Sequence, residues 1–520
     1  MGEHLHSFGY DVENKYIDLI QDEEQEHWFY FERFKMKLYD QQRLGRDMMI
    51  YDITGKKSLP AKTVISLSIQ YMKDDLMSVM QQRIFDCGIK ADEIHWVLTV
   101  PAIWNDAAKQ FMREAAHEVG IPAHKLSIAL EPEAASLYCR HISIEMISSD
   151  KTTLTTFLPG KRYIVLDAGG GTVDITVHEV LHGGKLKELY KASGGHWGGT
   201  RVDEAFLDFL VDLVGSDVMS KFKERYTEEY LELLREFEDK KRKTLSSSDE
   251  KVRLKIPYKF IQLIEELRCK SLQKLIDDSI YSKQLKLVAD KLRIEPSLAK
   301  SFFDTSITKT VEHVKTLLKE PVTDGVDAIL MVGGFSESNM LHEAVKSNFP
   351  ELGVIVPSEA GLAVLKGAVI FGHSPSMISE RVSKYTYGVD MVERFDSYLH
   401  PPEKKITIDG KTYCSDIFSV HVHAGQALIV GEYQSKEIYN PVSHLSQGME
   451  FRIFATLKSD PKYVDEPGSE QIGKLTIPMS GSGIGRKVQV KMIFGGTEIV
   501  VECKEIATGQ IKNTIVDFLL

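Results

Sequence analysis

Three stretches of the chain run an apolar segment into a glycine turn and then into polar residues. The first is VLDAGGGTVDITV at 165–177. An apolar strand delivers Asp167 at its end, Gly169, Gly170 and Gly171 turn the backbone, and Thr172 and Asp174 open a second strand. Glycine lets backbone approach a ligand closely, and successive free N–H groups make a concavity for phosphate oxygens. A carboxylate beside such a turn suits hydrated Mg2+, which is held by few carboxylates together with phosphates. The second stretch, SGGHWGGTRVDEAF (193–206), sets Gly198 and Gly199 directly before a helix, where orphan N–H groups can meet a phosphate. In the third, LMVGGFSES (330–338), an apolar strand meets Gly333 and Gly334 and then a polar helix start. Each alone also describes an ordinary turn or loop; three together in one α/β chain converge on phosphate. None follows the P-loop spacing or G-x-G-x-x-G.

Turns of this kind need buried strands and covering helices to hold them. IHWVLTVPAIW (94–104) reads as a buried strand ended by Pro101, and NDAAKQFMREAAHEVGI (105–121) as a helix with Asn105 or Asp106 as its cap. Residues 63–85 have helical amphipathic spacing, and 200–245 and 258–320 are mostly helical in pattern. RYIVLDAGGG and GTVDITVHEVL read as a strand pair about glycine. After about residue 385 the pattern changes to short alternating strands separated by turn residues: FSVHVHAG, GKLTIPM, KVQVKMIF and TEIVVECKE. The expected organisation is an α/β domain over 1–375, a connection over 376–384, and a β-sandwich-like domain over 385–520.

Bulk properties narrow the function classes. With 520 residues the chain is too long for one core, so two or three domains are expected. The net charge of −11, from 64 basic and 75 acidic residues, argues against general affinity for nucleic acid. Five cysteines without a CxxC pair fit free thiols in a reducing compartment, the cytoplasm or nucleus. The N-terminal sequence lacks the pattern of a secretory signal, and no apolar run approaches the ~20 residues of a membrane span. His421 and His423 alternate along one strand without a further ligand nearby, so they read as a plain surface strand rather than a metal site.

The order DAGGGTVD, GGHWGGTRVD, the basic helix EFEDKKRKTLSSS (236–248) and VGGFSES resembles the ATPase domain of the 70-kDa heat-shock proteins. That family belongs to the actin-like, ribonuclease-H-like ATPase superfamily. The resemblance implies a two-lobed nucleotide-binding domain, then a smaller all-β domain that takes a protein or peptide client. It further implies that Asp167, Gly169, Gly170, Gly171 and Thr172 hold phosphate and Mg2+, with Gly198 and Gly199 adding a second contact. Asp239, Arg242, Lys243 and Ser246 would grip adenosine and ribose, and Gly333 and Gly334 would line the base. ALEPEAASLY sets Glu131 where the family has an acidic residue near Mg2+ and the attacking water, and Pro101 stands where a proline couples the two domains. Lys37, in FKMKLYD, stands in for the family's catalytic lysine; a surface lysine is the alternative. HVHAGQALIVGEY, IGKLTIPMS and VQVKMIFGGTEIVVECKEIATGQ resemble successive strands of the family's peptide-binding domain. HSFGYDVENKY, FERFKMKLYD and GGHWGGTRVD are most similar to a divergent branch, heat shock 70 kDa protein 12.

The departures shape the expected chemistry. No D-x-G-T-T type phosphate loop occurs in residues 1–60, so the chain reads as starting after that loop, shortened or without catalysis. The connection PSMISERVSK is polar where the family has an apolar linker, which argues against ATP-driven coupling of the usual kind. No helical lid follows the β-region. The expected activity is therefore binding of ATP or ADP with Mg2+, with slow hydrolysis or none. Glu131 and Asp167 would orient Mg2+ and water. A second reading is a non-catalytic nucleotide sensor or scaffold acting through protein contacts. A small-molecule kinase of the same superfamily is a third, without an acceptor-site signature to support it.

Overall fold

The computed structural model describes residues 4–39, 44–83, 88–141, 157–494 and 498–519. In the first lobe the expected strand forms at Trp96–Val100 and pairs in parallel with Leu126–Leu130. Parallel neighbours need a crossover, which the helix Asp106–Glu118 supplies. Asn105 caps it, accepting from the Ala108 amide at 2.9 Å. The helix read over 63–85 spans Ala61–Arg83. Leu38, Ile65, Trp104 and Phe111 form this lobe's core, and Leu519, near the other end of the chain, completes it. Asp517 and Gln110 bond at 2.8 Å, and Arg46 holds Asp517 at 2.9 Å.

The second lobe is built on a seven-stranded sheet. Its order is Gly353–Ile355, Val326–Val332, Arg162–Ala168, Val173–Val180, Leu186–Gly195, Ile378–Val382 and Ala427–Ile429. The strand Arg162–Ala168 is central and covered on both faces, which explains its unbroken apolar run: Tyr163, Ile164, Val165 and Leu166 are all fully buried. One face packs against the helix Thr200–Val214 and its neighbours, the other against Glu131–His141 and Ala363–His373. Gly367 allows those last two helices to touch; a Cβ there would stand 1.7 Å from the Ala134 carbonyl oxygen. A small antiparallel sheet of Val252–Lys255, Lys291–Ile294 and Leu285–Val288 closes the far end of this lobe.

The polar connection is itself structural. Ile378–Val382 pairs in parallel with Leu186–Gly195, and Ala427–Ile429, from the C-terminal region, adds an antiparallel strand outside it. The seat for this segment is polar, which accounts for its sequence. Arg381 makes two bonds of 2.7 Å to Glu133, which is 2% exposed. The Val382 amide donates to Glu188 Oε2 at 2.8 Å. Burial first, then the charge of Glu133, raises the Glu188 carboxyl from 4.5 to about 8, against the opposing pull of Arg381 and Lys109. Because the folded value lies above the ordinary one, the fold prefers the neutral acid. That contribution is whole below pH 4.5 and disappears as the pH climbs through about 8. Replacing Glu188 with Gln, which keeps an acceptor for Val382, is expected to flatten this loss. Thermal unfolding between these pH limits measures it, the wild type losing about 3–5 kcal/mol that the variant retains.

Beyond the connection two antiparallel sheets face each other. Five strands, Lys405–Ile408, Lys411–Val422, Thr386–Arg394, Gly448–Thr456 and Ser469–Pro478, meet four, Tyr433–Tyr439, Val488–Phe494, Ile499–Glu505 and Ile511–Ile515. Val389, Phe451, Ile477, Val490 and Val501 fill the space between, as in a sandwich. His421 corrects the reading of a plain surface strand. It is buried and bonded to Ser435 Oγ at 2.6 Å and Tyr439 Oη at 2.9 Å, and burial lowers its pKa to about 4.

Candidate functional site

The three glycine units converge. Asp167 and Asp174 lie directly opposite each other on adjacent strands, and the Gly169 amide closes the turn on the Thr172 carbonyl at 2.9 Å. The Gly170, Gly171 and Thr172 amides have no acceptor among the described residues. The amides of the second stretch are already engaged: Gly198 bonds Gly171 O at 3.2 Å, Gly199 bonds Gly169 O at 3.1 Å, and Thr200 bonds Gly170 O at 2.8 Å. Gly198 and Gly199 thus brace the first loop. Only glycine fits at 198, because a Cβ would stand 2.5 Å from Gly170 O. Gly333, at φ 85°, comes just as near: a Cβ would lie 2.4 Å from Asp167 Oδ1, while Gly334 faces open space.

Charge at this point is unbalanced. Burial, then Glu131 and Asp174, pushes the Asp167 carboxyl well above its usual range, with Lys35 opposing. Burial and Glu131 raise Asp174 to about 6, while bonds from the Ile103 amide and Thr172 pull the other way. Crowded carboxylates in low dielectric favour a cation or a shared proton. Among the described residues no three metal-ligating side chains group closely enough to seat an ion by themselves. A Mg2+ here would therefore depend on phosphate and water as well, as that ion ordinarily does.

The stretch Arg33–Lys37 lies across the first loop. Lys35 Nζ meets Glu131 Oε1 at 2.5 Å and stands 5.5 Å from the Trp104 ring centre. Met36 covers Gly171, where an added Cβ would be 2.2 Å from its sulfur. Arg33 holds Asp203 at 2.8 Å, and Lys241 holds the same carboxylate at 2.7 Å. Lys37, exposed as Lys35 also is, makes no contact with these groups among the described residues. The 3-10 turn Phe34–Leu38 explains the difference: residues three apart eclipse, so Lys35 shares a side with fully buried Leu38 and Lys37 does not. Lys35, Arg33, Asp203 and Lys241 were not found from sequence. The only signal was an acid in the first turn of a helix that follows Gly199.

The basic helix spans Thr227–Lys243. Ser246 just beyond it donates from its amide and hydroxyl to Asn339 Oδ1 at 2.8 and 3.0 Å, which joins it to the third glycine unit. Asp239 pairs with Lys243 at 2.8 Å and Arg242 with half-buried Glu238 at 2.7 Å, the other three being exposed on the helix. One residue also ties the cleft to the connection. The Ile103 amide donates to Asp174 Oδ1 at 2.9 Å, and its carbonyl accepts from Lys384 Nζ at 3.0 Å. Pro101 is two residues away.

The family model described as Hsp70 protein matches residues 31–373, more than half of the chain. The chain belongs to the 70-kDa heat-shock protein family. Heat shock 70 kDa protein 12A of Mus musculus is 33% identical, over 99% of this chain and 83% of its own length. The Homo sapiens 12A protein gives the same figures, and Homo sapiens heat shock 70 kDa protein 12B is 32% identical over the same shares. The fold agrees: the Hsp70 match covers both lobes, and a β-rich region follows it. Proteins of the Hsp70 family generally bind ATP or ADP with Mg2+ and typically take protein clients. No helix among the described residues is long and apolar enough to cross a membrane.

Proposed function

We propose that this Hsp70-family chain binds ATP or ADP with Mg2+ in the cleft and engages a protein or peptide client through its C-terminal β-domain. One observation carries the reading: three unengaged amides, at Gly170, Gly171 and Thr172, stand beside the buried carboxylates of Asp167 and Asp174 and the half-buried one of Glu131. Donors for an anion next to acids that need a cation are what a Mg–phosphate group satisfies. Asp167 and Glu131 would hold the ion through water, and bound Mg2+ would neutralise phosphate charge. Gly169, Gly170, Gly171 and Thr172 face the phosphates, braced by Gly198 and Gly199, with Lys35 above them in the place first considered for Lys37. Asp239, Arg242, Lys243 and Ser246 would take adenosine, and Gly333 and Gly334 the base. Hydrolysis is slow or absent in this reading, because Glu131, the acid that would orient water, is tied to Lys35. The free thiols Cys139, Cys269, Cys414 and Cys503 fit residence in the cytoplasm or nucleus.

A nucleotide sensor without turnover is the second reading. The Lys35–Glu131 pair and Met36 packed on Gly171 favour it. Titration calorimetry with ATP and ADP, each with Mg2+, tests both. Binding in the micromolar range or tighter is expected, weakened roughly tenfold or more by Asp167→Ala. Folded wild-type protein that binds neither nucleotide would overturn the proposal. A turnover assay on protein that binds then separates ATPase from sensor.

A further inference from the structure

The small sheet that closes the second lobe has an unusual outer face. Leu254, Leu285, Leu292 and Ile294 turn into the core, so strand alternation sends their neighbours outward. Those neighbours are Arg253, Lys255, Lys286, Lys291 and Arg293, all exposed and all cationic. Lys291 sits directly opposite Lys255, and Arg293 directly opposite both Arg253 and Lys286. Like charges facing each other across strands destabilise a sheet. None of the five takes an ion-pair partner among the described residues, in a chain whose net charge is −11. A face that keeps such repulsion in an acidic protein is matched to something anionic.

Where this face meets the basic helix there is a cavity of about 370 Å³. Arg253, Lys255 and Lys291 contribute from the sheet, and Lys240, Lys243 and Lys300 from the side of the helix. Only Glu236 and Glu250 oppose them in the lining. The size is that of a small-molecule site rather than a long groove. Opposed cationic sides around a small space suit several phosphate groups on one compact scaffold, each satisfied by lysine or arginine. The cavity shares Lys243 with the residues given to adenosine, and its other lining cations are distinct from that set. Glu236, Lys240, Lys243 and Thr244 form one helical stripe, whereas Lys241, which reaches Asp203, lies about 100° around the axis from Lys240.

We propose that this pocket binds a compact, multiply phosphorylated small molecule through cations that, Lys243 apart, are not those of the nucleotide cleft. Titration calorimetry of the full chain with inorganic tripolyphosphate at physiological salt tests it. The wild type is expected to bind one equivalent, and the double variant Arg253→Glu, Lys291→Glu to bind roughly tenfold more weakly or worse. The variant should fold at least as well, since the new carboxylates face Arg293 and Lys255 across the strands. Asp167→Ala, which disables the cleft, should still bind the probe. Loss of binding in Asp167→Ala with retention in the double variant would overturn the proposal, as would no binding by wild type. Two further arms separate sources of anion. Equal affinity for a poly-glutamate peptide would refute a preference for phosphate. Capture by vesicles carrying a multiply phosphorylated inositol lipid, without response to tripolyphosphate, would refute a soluble ligand.

Discussion

Arg381→Met is expected to release the C-terminal β-domain from the second lobe. Glu133 is 2% exposed and has Arg381 as its bidentate partner, so the variant strands a buried carboxylate. Breaking such a pair by removing one side costs about 3–5 kcal/mol, because the remaining charge is uncompensated. Glu188, which loses the larger pull of the same arginine and keeps, of its cations, only that of Lys109, is pushed further toward its neutral form. The join itself is short, three residue pairs between Ile378–Val382 and Ala427–Ile429, and cannot absorb a loss of that size. Two measurements check this: a lower unfolding temperature, and faster protease cleavage within 376–384. Adding Glu133→Gln to the variant should restore much of the stability, since two neutral groups carry no stranded charge. A double variant as unstable as the single would mean that arginine packing, not pairing, holds the connection.

Gly198→Ala is expected to damage the cleft nearly as severely. Its Cβ would lie 2.5 Å from Gly170 O, 2.6 Å from Gly169 O and 2.7 Å from Gly170 C, all backbone atoms. No side chain can swing away, so the two loops must part. Forced overpacking costs about 1–3 kcal/mol. Three hydrogen bonds from Gly198, Gly199 and Thr200 are strained in addition, each contributing about 1 kcal/mol. The expected result is a lower unfolding temperature and a Mg–nucleotide affinity reduced about a hundredfold, near 3 kcal/mol. Gly485→Ala, where an added Cβ meets nothing within 4 Å, provides the control and should change neither. Unchanged nucleotide affinity in Gly198→Ala would show that the loop brace does not shape the site.

What could be read from sequence was mostly local. The run Arg162–Ala168 is apolar at successive positions because both faces are covered, and Asn105 announces its helix because a cap is a short-range bond. The glycine units were legible as turns, yet not as a set of interlocked ones. A helix start after Gly199 looks like free donors until the carbonyls of 169–171 are seen to reach it. Lys35 and Lys37 are equivalent in composition, and only the tight turn between Phe34 and Leu38 separates them. The seat of the polar connection was hidden for a similar reason: its partners Glu133 and Glu188 are remote in the chain, so no local pattern relates them to it. Asp203, shared by Arg33 and Lys241, joins three segments that no local pattern relates.

The order of strands in the large sheet sets a clock for synthesis. Leu186–Gly195 stands inside the finished sheet only because residues 378–382 arrive later to pair with it, themselves covered in turn by 427–429. At ~5–20 residues per second, a ribosome leaves that strand as a bare edge for on the order of ten seconds or more. An uncovered edge strand is a template for pairing with other chains. Newly made protein is therefore most exposed to aggregation before residues 378–382 emerge, and a chain halted by a stop codon near residue 375 would keep that edge for its lifetime.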